Sequence, residues 1–119
     1  MEAKSISEMT AEEINREIAE RRGWVYDCYG WFDCTVNGRS ILEGHDSPPD
    51  YREWQHAGPL LEEIARELVI SYLDIPVPHR ARLLCHPVEV HEWYEGAAPT
   101  LPQAIARAWL AWDRGKDDA

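Results

Sequence analysis

The sequence predicts one α+β domain, an antiparallel sheet of about four to five strands sandwiched by three helices in the order α-β-β-α-β-β-α. Three observations support this class. Helix start signals precede two amphipathic stretches. Runs of aromatic and β-branched residues, which favour strands, follow the first of these stretches. A length of 119 residues is typical of one domain with a single hydrophobic core. We expect residues 1–9 and 114–119 to be frayed tails of this domain.

The first helix has a start signal and a stop signal. Thr10 and Glu13 are spaced as a capping box, in which each side chain accepts a hydrogen bond from the other residue's main-chain amide. An apolar stripe at helical spacing follows, and Gly23 ends it. The pattern predicts a helix from Ala11 to Arg22 with a buried face of Ile14, Ile18 and Ala19.

Strand-like residues follow this helix. The composition of residues 24–29 and 31–36 favours half-buried strands, with Gly30 as a bulge or a tight connection between them. Asn37-Gly38 predicts a hairpin turn, since both residue types tolerate positive φ. Residues 39–42 would then form the returning strand, and residues 43–49 a loop.

The second helix is predicted to begin near Pro59, because proline suits a first helical turn. Residues 50–58 have no clear pattern, and residues 68–73 fit either a helix or a strand. Pro76 and Pro78 exclude a continuing helix. The expected buried face is Leu61, Ile64, Ala65, Leu68 and Tyr72.

The last third of the chain predicts two strands and a helix. The strands are residues 80–85 and 88–95, joined near His86-Pro87. Thr100 and Gln103 give a second capping box, and Gly115 is expected to end the helix. Its apolar stripe is Leu101, Ile105, Ala108, Trp109 and Trp112.

Composition restricts the class of partner. A formal net charge of −10 argues against direct binding to duplex nucleic acid or to an anionic membrane surface, and it favours a basic protein. No apolar run reaches the roughly 20 residues that span a bilayer, and no signal peptide is recognisable. Three cysteines, an odd number, are read as reduced thiols of a cytoplasmic protein.

The sequence contains no convincing catalytic or metal-binding pattern. His79, His86, His91 and Cys85 cluster along the chain, but they lack the paired ligand spacing of zinc sites. Pairs of carboxylates are expected by chance among 22 acidic residues. We therefore predict no catalytic residue, no metal and no cofactor.

Three segments, in this order, resemble the phage ABA-sandwich domain family, and the resemblance extends from Ala11 to Trp112. They are residues 14–24, residues 50–64 and residues 95–108, where the family's helix typically begins Ile-Cys-Arg-Ala and Ala106 replaces the cysteine. The resemblance implies a phage or prophage setting and offers no general catalytic residue. Proteins of this setting often act against host immunity, which is a functional expectation by analogy alone.

Three functions remain open, and self-association is compatible with each. The first is an anti-CRISPR-like inhibitor whose acidic face occupies the nucleic-acid groove of a basic host effector, with Tyr51 and Trp54 as anchors and charge from Glu43, Asp46, Asp50, Glu53, Glu62 and Glu63. The second is a sponge for a cyclic nucleotide immune signal, held by Trp24, Tyr26, Arg39, Arg80 and Arg82. A small phage enzyme is the third and has the least support.

Overall fold

A computed structural model describes residues 4–27, 30–33, 49–76, 79–87 and 93–117, and the side chains of residues 4–24, 49–72, 81–87 and 93–116 within them. Ranges outside these are left undescribed, including the Asn37-Gly38 turn and the strand predicted at residues 39–42.

The first helix, α1, spans Ala11–Arg21 and confirms the sequence-based prediction. Both hydrogen bonds of the capping box form: the Thr10 hydroxyl accepts from the Glu13 amide at 3.2 Å, and the Glu13 carboxylate accepts from the Thr10 amide at 3.0 Å. The predicted apolar stripe is buried. Gly23 follows the helix with a φ of 95°, the left-handed conformation that glycine adopts without strain.

Strands β1 (Trp24–Asp27) and β2 (Gly30–Asp33) form an antiparallel hairpin. Trp24 lies opposite Asp33, and Asp27 lies opposite Gly30, so the chain reverses between residues 27 and 30. The prediction of a strand is thus confirmed for residues 24–27, while residues 28 and 29 lie outside the described ranges.

The second helix, α2, spans Trp54–Glu67, so the prediction that it begins near Pro59 is wrong. Its first turn follows a bend at Tyr51, whose side chain is buried, and the amides of residues 56 and 57 both donate to the Glu53 carbonyl at 3.0 Å. The burial of Tyr51 against distant parts of the chain sets the start of the helix, and Pro59 lies inside the helix. The residues α2 buries are Ala57, Leu60 and Ile64.

Three strands form a second antiparallel sheet, ordered β3 (Val69–Pro76), β4 (His79–His86) and β5 (Tyr94–Ala98). The ambiguous residues after α2 are therefore a strand. Of the strand predicted at residues 88–95, Tyr94 and Glu95 are confirmed as part of β5, which continues to Ala98; Trp93 precedes the strand, and residues 88–92 lie outside the described ranges. In the observed register Leu83 lies between Tyr72 and Gly96.

The third helix, α3, spans Leu101–Asp117 and lies directly over β5. Gly115 does not end it, contrary to the prediction. A Cβ atom there would lie 2.8 Å from a ring carbon of Tyr94, so this glycine gives the tyrosine ring room against the helix. Most of the predicted apolar stripe is fully buried, and Leu101 is half-buried.

The structure confirms an α+β protein with three helices and an antiparallel sheet, but the described strands form two sheets of two and three strands. The buried residues of β4 and β5 (Ala81, Leu83, Cys85 and Ala98) lie on the face that receives α3. The opposite face carries Arg82 and Glu95, and no described helix covers it. The sequence predicts helices on both faces of one larger sheet, and the described residues do not form that arrangement.

Within the ends expected to fray, the described residues 4–9 and Arg114 are held by contacts with α1 and α3. A short 3-10 turn, Ile6–Glu8, precedes Met9, which is buried. Arg107 donates to the main-chain oxygens of Ile6 at 2.6 Å and Met9 at 3.0 Å. Arg114 lies inside α3 and makes two hydrogen bonds, at 2.7 and 2.5 Å, to Glu17 of α1.

Candidate binding surfaces

Some residues of the predicted acidic interface are buried or paired in the structure, and others remain exposed. Tyr51 is 4% exposed, so its proposed role as an exposed anchor is wrong. Its amide donates to the Asn15 side chain at 3.0 Å, and Asn15 in turn donates to Asp50 at 3.2 Å. The Tyr51 amide and the Asp50 carboxylate therefore join the turn before α2 to Asn15 of α1.

Two further carboxylates of that set are held by arginines. Asp50 accepts hydrogen bonds from Arg52 at 2.9 Å, and these bonds lower the pKa of the aspartate from 3.8 to about 2. Glu63 is bonded to Arg22 and so joins α2 to the end of α1. These two side chains are occupied in stabilising the fold, while Glu43 and Asp46 lie outside the described residues.

The rest of the predicted interface remains on the surface of α2. Trp54 is 54% exposed in the first turn of the helix. Glu53 and Glu62 are exposed too, and Glu62 has no hydrogen-bond or ion-pair partner among the described residues. We call Trp54 and Glu62 the α2 face.

The residues proposed to hold a nucleotide lie in different sheets. Trp24 and Tyr26 belong to β1 of the hairpin, whereas Arg80 and Arg82 belong to β4 of the three-stranded sheet. The Arg82 side chain is paired with Glu95 at 2.6 Å, and Arg39 lies outside the described ranges. The side chains of Tyr26 and Arg80 lie outside the part of the chain whose side chains are described.

A cavity lies beside β5. It has a volume of about 550 Å³, and its walls are the N-terminal turn, the strand and one flank of α3. We call it the β5 groove. Its lining residues are Ser5, Ile6, Ser7, Glu95, Ala97, Ala98, Pro99, Arg107 and Arg114.

Sequence reasoning missed the β5 groove. A spacing of seven residues places Arg107 and Arg114 on one side of α3, which is a usable signal. The N-terminal wall could not be anticipated in this way, because the N-terminal segment is held at the groove by bonds from Arg107 and Arg114, which are about a hundred residues away along the chain.

A second cavity, of about 400 Å³, lies between α2, the inner face of the three-stranded sheet and the start of α3. Apolar side chains and the half-exposed ring of Tyr72 line it. It offers a docking position for an apolar group, without a charged side chain to orient one.

Reactive side chains are few in the described ranges. Burial raises the pKa of the Cys85 thiol to about 11, which suppresses the nucleophilic thiolate. His86 bonds to the Pro87 carbonyl at 2.7 Å through Nδ1 and packs on Trp93 with ring centres 4.2 Å apart. No cluster of three metal-ligating side chains occurs among the described residues.

None of the helices that the structure describes has both the length and the apolar character needed to cross a bilayer. Comparison of the chain with protein-family models, curated proteins and solved structures gives no match. Functional inference therefore rests on the surfaces described above.

Proposed function

We propose that the protein is a non-enzymatic, phage-derived binding protein that inhibits a basic, nucleic-acid-handling host protein such as a CRISPR effector. The observation that carries the proposal is the α2 face, where a tryptophan that is 54% exposed follows the exposed Glu53 and precedes the exposed Glu62 by about two helical turns. Large exposed aromatic residues are typical anchors of protein interfaces.

The charge of the chain supports this kind of partner. A net charge of −10 gives a negative field that accelerates encounter with a basic groove and disfavours direct contact with nucleic acid. Glu62 adds a carboxylate that has no ion-pair partner among the described residues, so it can meet a cation without breaking a bond within the described fold. Trp54 and Glu62 are eight residues apart, about 12 Å along the helix axis, which places both within one interface.

Sequestration of a cyclic nucleotide has less support. Its aromatic and arginine candidates lie in separate sheets, and the Arg82 charge is paired with Glu95.

The test uses a panel of purified RNA-guided nucleases free of target DNA. Binding is measured at low and high salt, and DNA cleavage is measured in parallel. We expect one effector to bind, cleavage to fall, and affinity to decrease steeply with salt, because exposed charges are screened. Trp54→Ala should weaken binding by about 2 kcal/mol or more, roughly thirtyfold.

Glu62→Gln tests the charge with little effect on shape. It should slow association by about threefold, whereas Glu20→Gln on the exposed side of α1 should leave association unchanged. Binding that is insensitive to salt and to Trp54→Ala would contradict the proposed surface. Absence of binding and of inhibition across the whole panel would overturn the proposed function.

A further inference from the structure

A stripe of four residues runs along one side of α2, starting at the tryptophan of the α2 face. Trp54, Gly58, Leu61 and Ala65 recur at helical spacing, which places them on one side of the helix. Trp54 is 54% exposed, Ala65 is exposed, and Leu61 is half-buried. None of the described atoms lies within 4 Å of a Cβ atom built at Gly58. A partner can therefore approach the main chain of α2 closely between the two ends of this α2 stripe.

The α2 stripe leads into the apolar cavity between α2, the three-stranded sheet and α3, which we call the α2–α3 cavity. Leu61 and Ala65 form its α2 wall, while Ile70 and Tyr72 line it from β3 and Ile105 from α3. Tyr72 is 50% exposed and Ala65 is also exposed, so the cavity opens to solvent. Its volume of about 400 Å³ is that of sites that receive apolar groups, roughly 300–1,000 Å³. A large apolar side chain of a partner can enter it.

The charges beside the α2 stripe favour a cationic partner segment. Glu53 precedes Trp54, Glu62 lies beside Leu61, and both carboxylates are exposed. Arg66, one turn beyond Glu62, is the exposed cation on this flank. Two carboxylates against one guanidinium leave a negative excess in a chain whose net charge is −10. This field attracts lysine and arginine side chains and repels carboxylates.

We propose that the α2 stripe and the α2–α3 cavity dock a basic amphipathic helix of the partner, which inserts an apolar side chain into the cavity and directs cations toward Glu62. The inference rests on the proposed function for the α2 face and adds the chemistry of the segment that binds there. Trp54 and Ala65 are eleven residues apart, about 16 Å along the helix axis, so a helix of about three turns contacts both ends of the stripe. Docking of an apolar helix side into a groove is a common mode of peptide recognition.

Other occupants of the α2–α3 cavity fit the charges less well. A second copy of the chain would bring two net charges of −10 together. A fatty acid would place its carboxylate near Glu62, and the described residues that line the cavity include no cation to hold that carboxylate. The basic amphipathic helix is the occupant that satisfies both the apolar walls and the charge.

The probes are three synthetic helical peptides of about 16 residues, whose affinities for the full-length protein are measured by fluorescence anisotropy. The first carries leucine at helical spacing on one side and lysine on the others. The second has glutamate in place of every lysine, and the third has serine in place of every leucine. We expect the second and third peptides to bind at least about tenfold more weakly than the first, because one lacks the cations and the other lacks the apolar side chains.

Methyl nuclear magnetic resonance locates the first peptide on the protein. The signals of Leu61, Ile70 and Ile105 should shift on binding, because these side chains line the α2–α3 cavity. Ile18, which is fully buried in α1, does not line the cavity and should keep its signal.

Two matched pairs of variants test the location. Ala65→Phe places a ring at the cavity and should weaken binding of the first peptide about tenfold, whereas Ser71→Phe adds the same ring on the opposite face of β3 and should leave affinity within about twofold. Glu62→Lys should weaken binding about tenfold. Glu67→Lys gives the same net charge on another side of α2 and should weaken binding by about threefold or less. Circular dichroism checks that all four variants are folded.

Equal affinity of the first peptide for the two phenylalanine variants, or for the two lysine variants, would overturn the proposal. So would sodium laurate shifting the cavity methyl signals of a protein that binds none of the peptides. The proposed function fails separately. If Ala65→Phe leaves the binding of an inhibited nuclease unchanged, the docking site is wrong while the proposed function stands. If the peptide results hold and no nuclease binds, the docking site stands while the proposed function is wrong.

Discussion

Replacing Gly96 with alanine places a methyl group where α3 meets β5. An added Cβ atom would lie 2.0 Å from the Ala104 carbonyl oxygen, 2.4 Å from the Ala108 nitrogen and 3.0 Å from the Ala108 Cα. All three atoms are main chain, so no side-chain rotation can relieve the contact. The helix would have to move outward by more than about 1 Å to restore van der Waals separation.

The magnitude follows from this geometry. Overpacking a core costs about 1–3 kcal/mol, and the rigid contact with helix backbone places Gly96→Ala near 3 kcal/mol or above on that scale. For a domain of this size the melting temperature should fall by about 10–15 °C. Differential scanning calorimetry and urea unfolding both measure the change.

Gly58 is the matched control, because a Cβ atom there would meet nothing within 4 Å. Gly58→Ala in α2 should change the free energy of unfolding by less than about 1 kcal/mol, because the higher helix propensity of alanine is opposed by the restriction that the following Pro59 places on a residue with a Cβ atom. If Gly96→Ala melts within about 2 °C of the unsubstituted protein, the close approach of α3 to β5 is wrong.

Three further predictions concern titratable groups. The pKa of Asp50 is lowered from 3.8 to about 2, so its hydrogen bonds stabilise the fold above pH 3.8 and are lost as the pH falls toward 2. In the Asp50→Asn variant, the free energy of unfolding measured in urea should therefore change less with pH between these values. A pH profile identical to that of the unsubstituted protein would contradict the pairing with Arg52. Arg114→Met leaves the half-buried Glu17 without its main partner and should lower the free energy of unfolding by about 1–2 kcal/mol in the same urea assay. An unchanged free energy of unfolding would show that the pair is not maintained in solution. Burial raises the pKa of Cys85 to about 11, so iodoacetamide at pH 8 should label this thiol at least about a hundredfold more slowly in the folded protein than in the denatured protein. Mass spectrometry of the tryptic peptide measures both rates. Similar rates in the two states would refute the burial of Cys85.

Local chemistry made α1 and the start of α3 predictable. The capping box of α1 is closed between residues three apart, and its buried stripe follows from helical periodicity alone. The same reasoning failed at Pro59 and Gly115, where a helix breaker is tolerated because other elements hold the chain. Tyr51 anchors the turn that begins α2, and Tyr94 packs on Gly115.

The candidate surfaces were predictable in part. Trp54 and Glu62 of the α2 face were identified from residue type, and the structure leaves both exposed. Tyr51 was assigned to the same surface, since composition alone cannot distinguish a buried tyrosine beside Asn15 from an exposed one. The β5 groove escaped prediction because its walls come from both ends of the chain.

The amino-acid sequence by itself determined the α+β class, the limits of α1, the buried stripe of α3 and the acidic character of the surface, because each depends on neighbouring residues or on composition. Only the tertiary structure decided the start of α2, the division of the strands into two sheets and the position of the arginines beside β5. These features depend on contacts between distant segments, such as Arg107 with the main chain of Ile6, and their free energy appears only when the chain is packed.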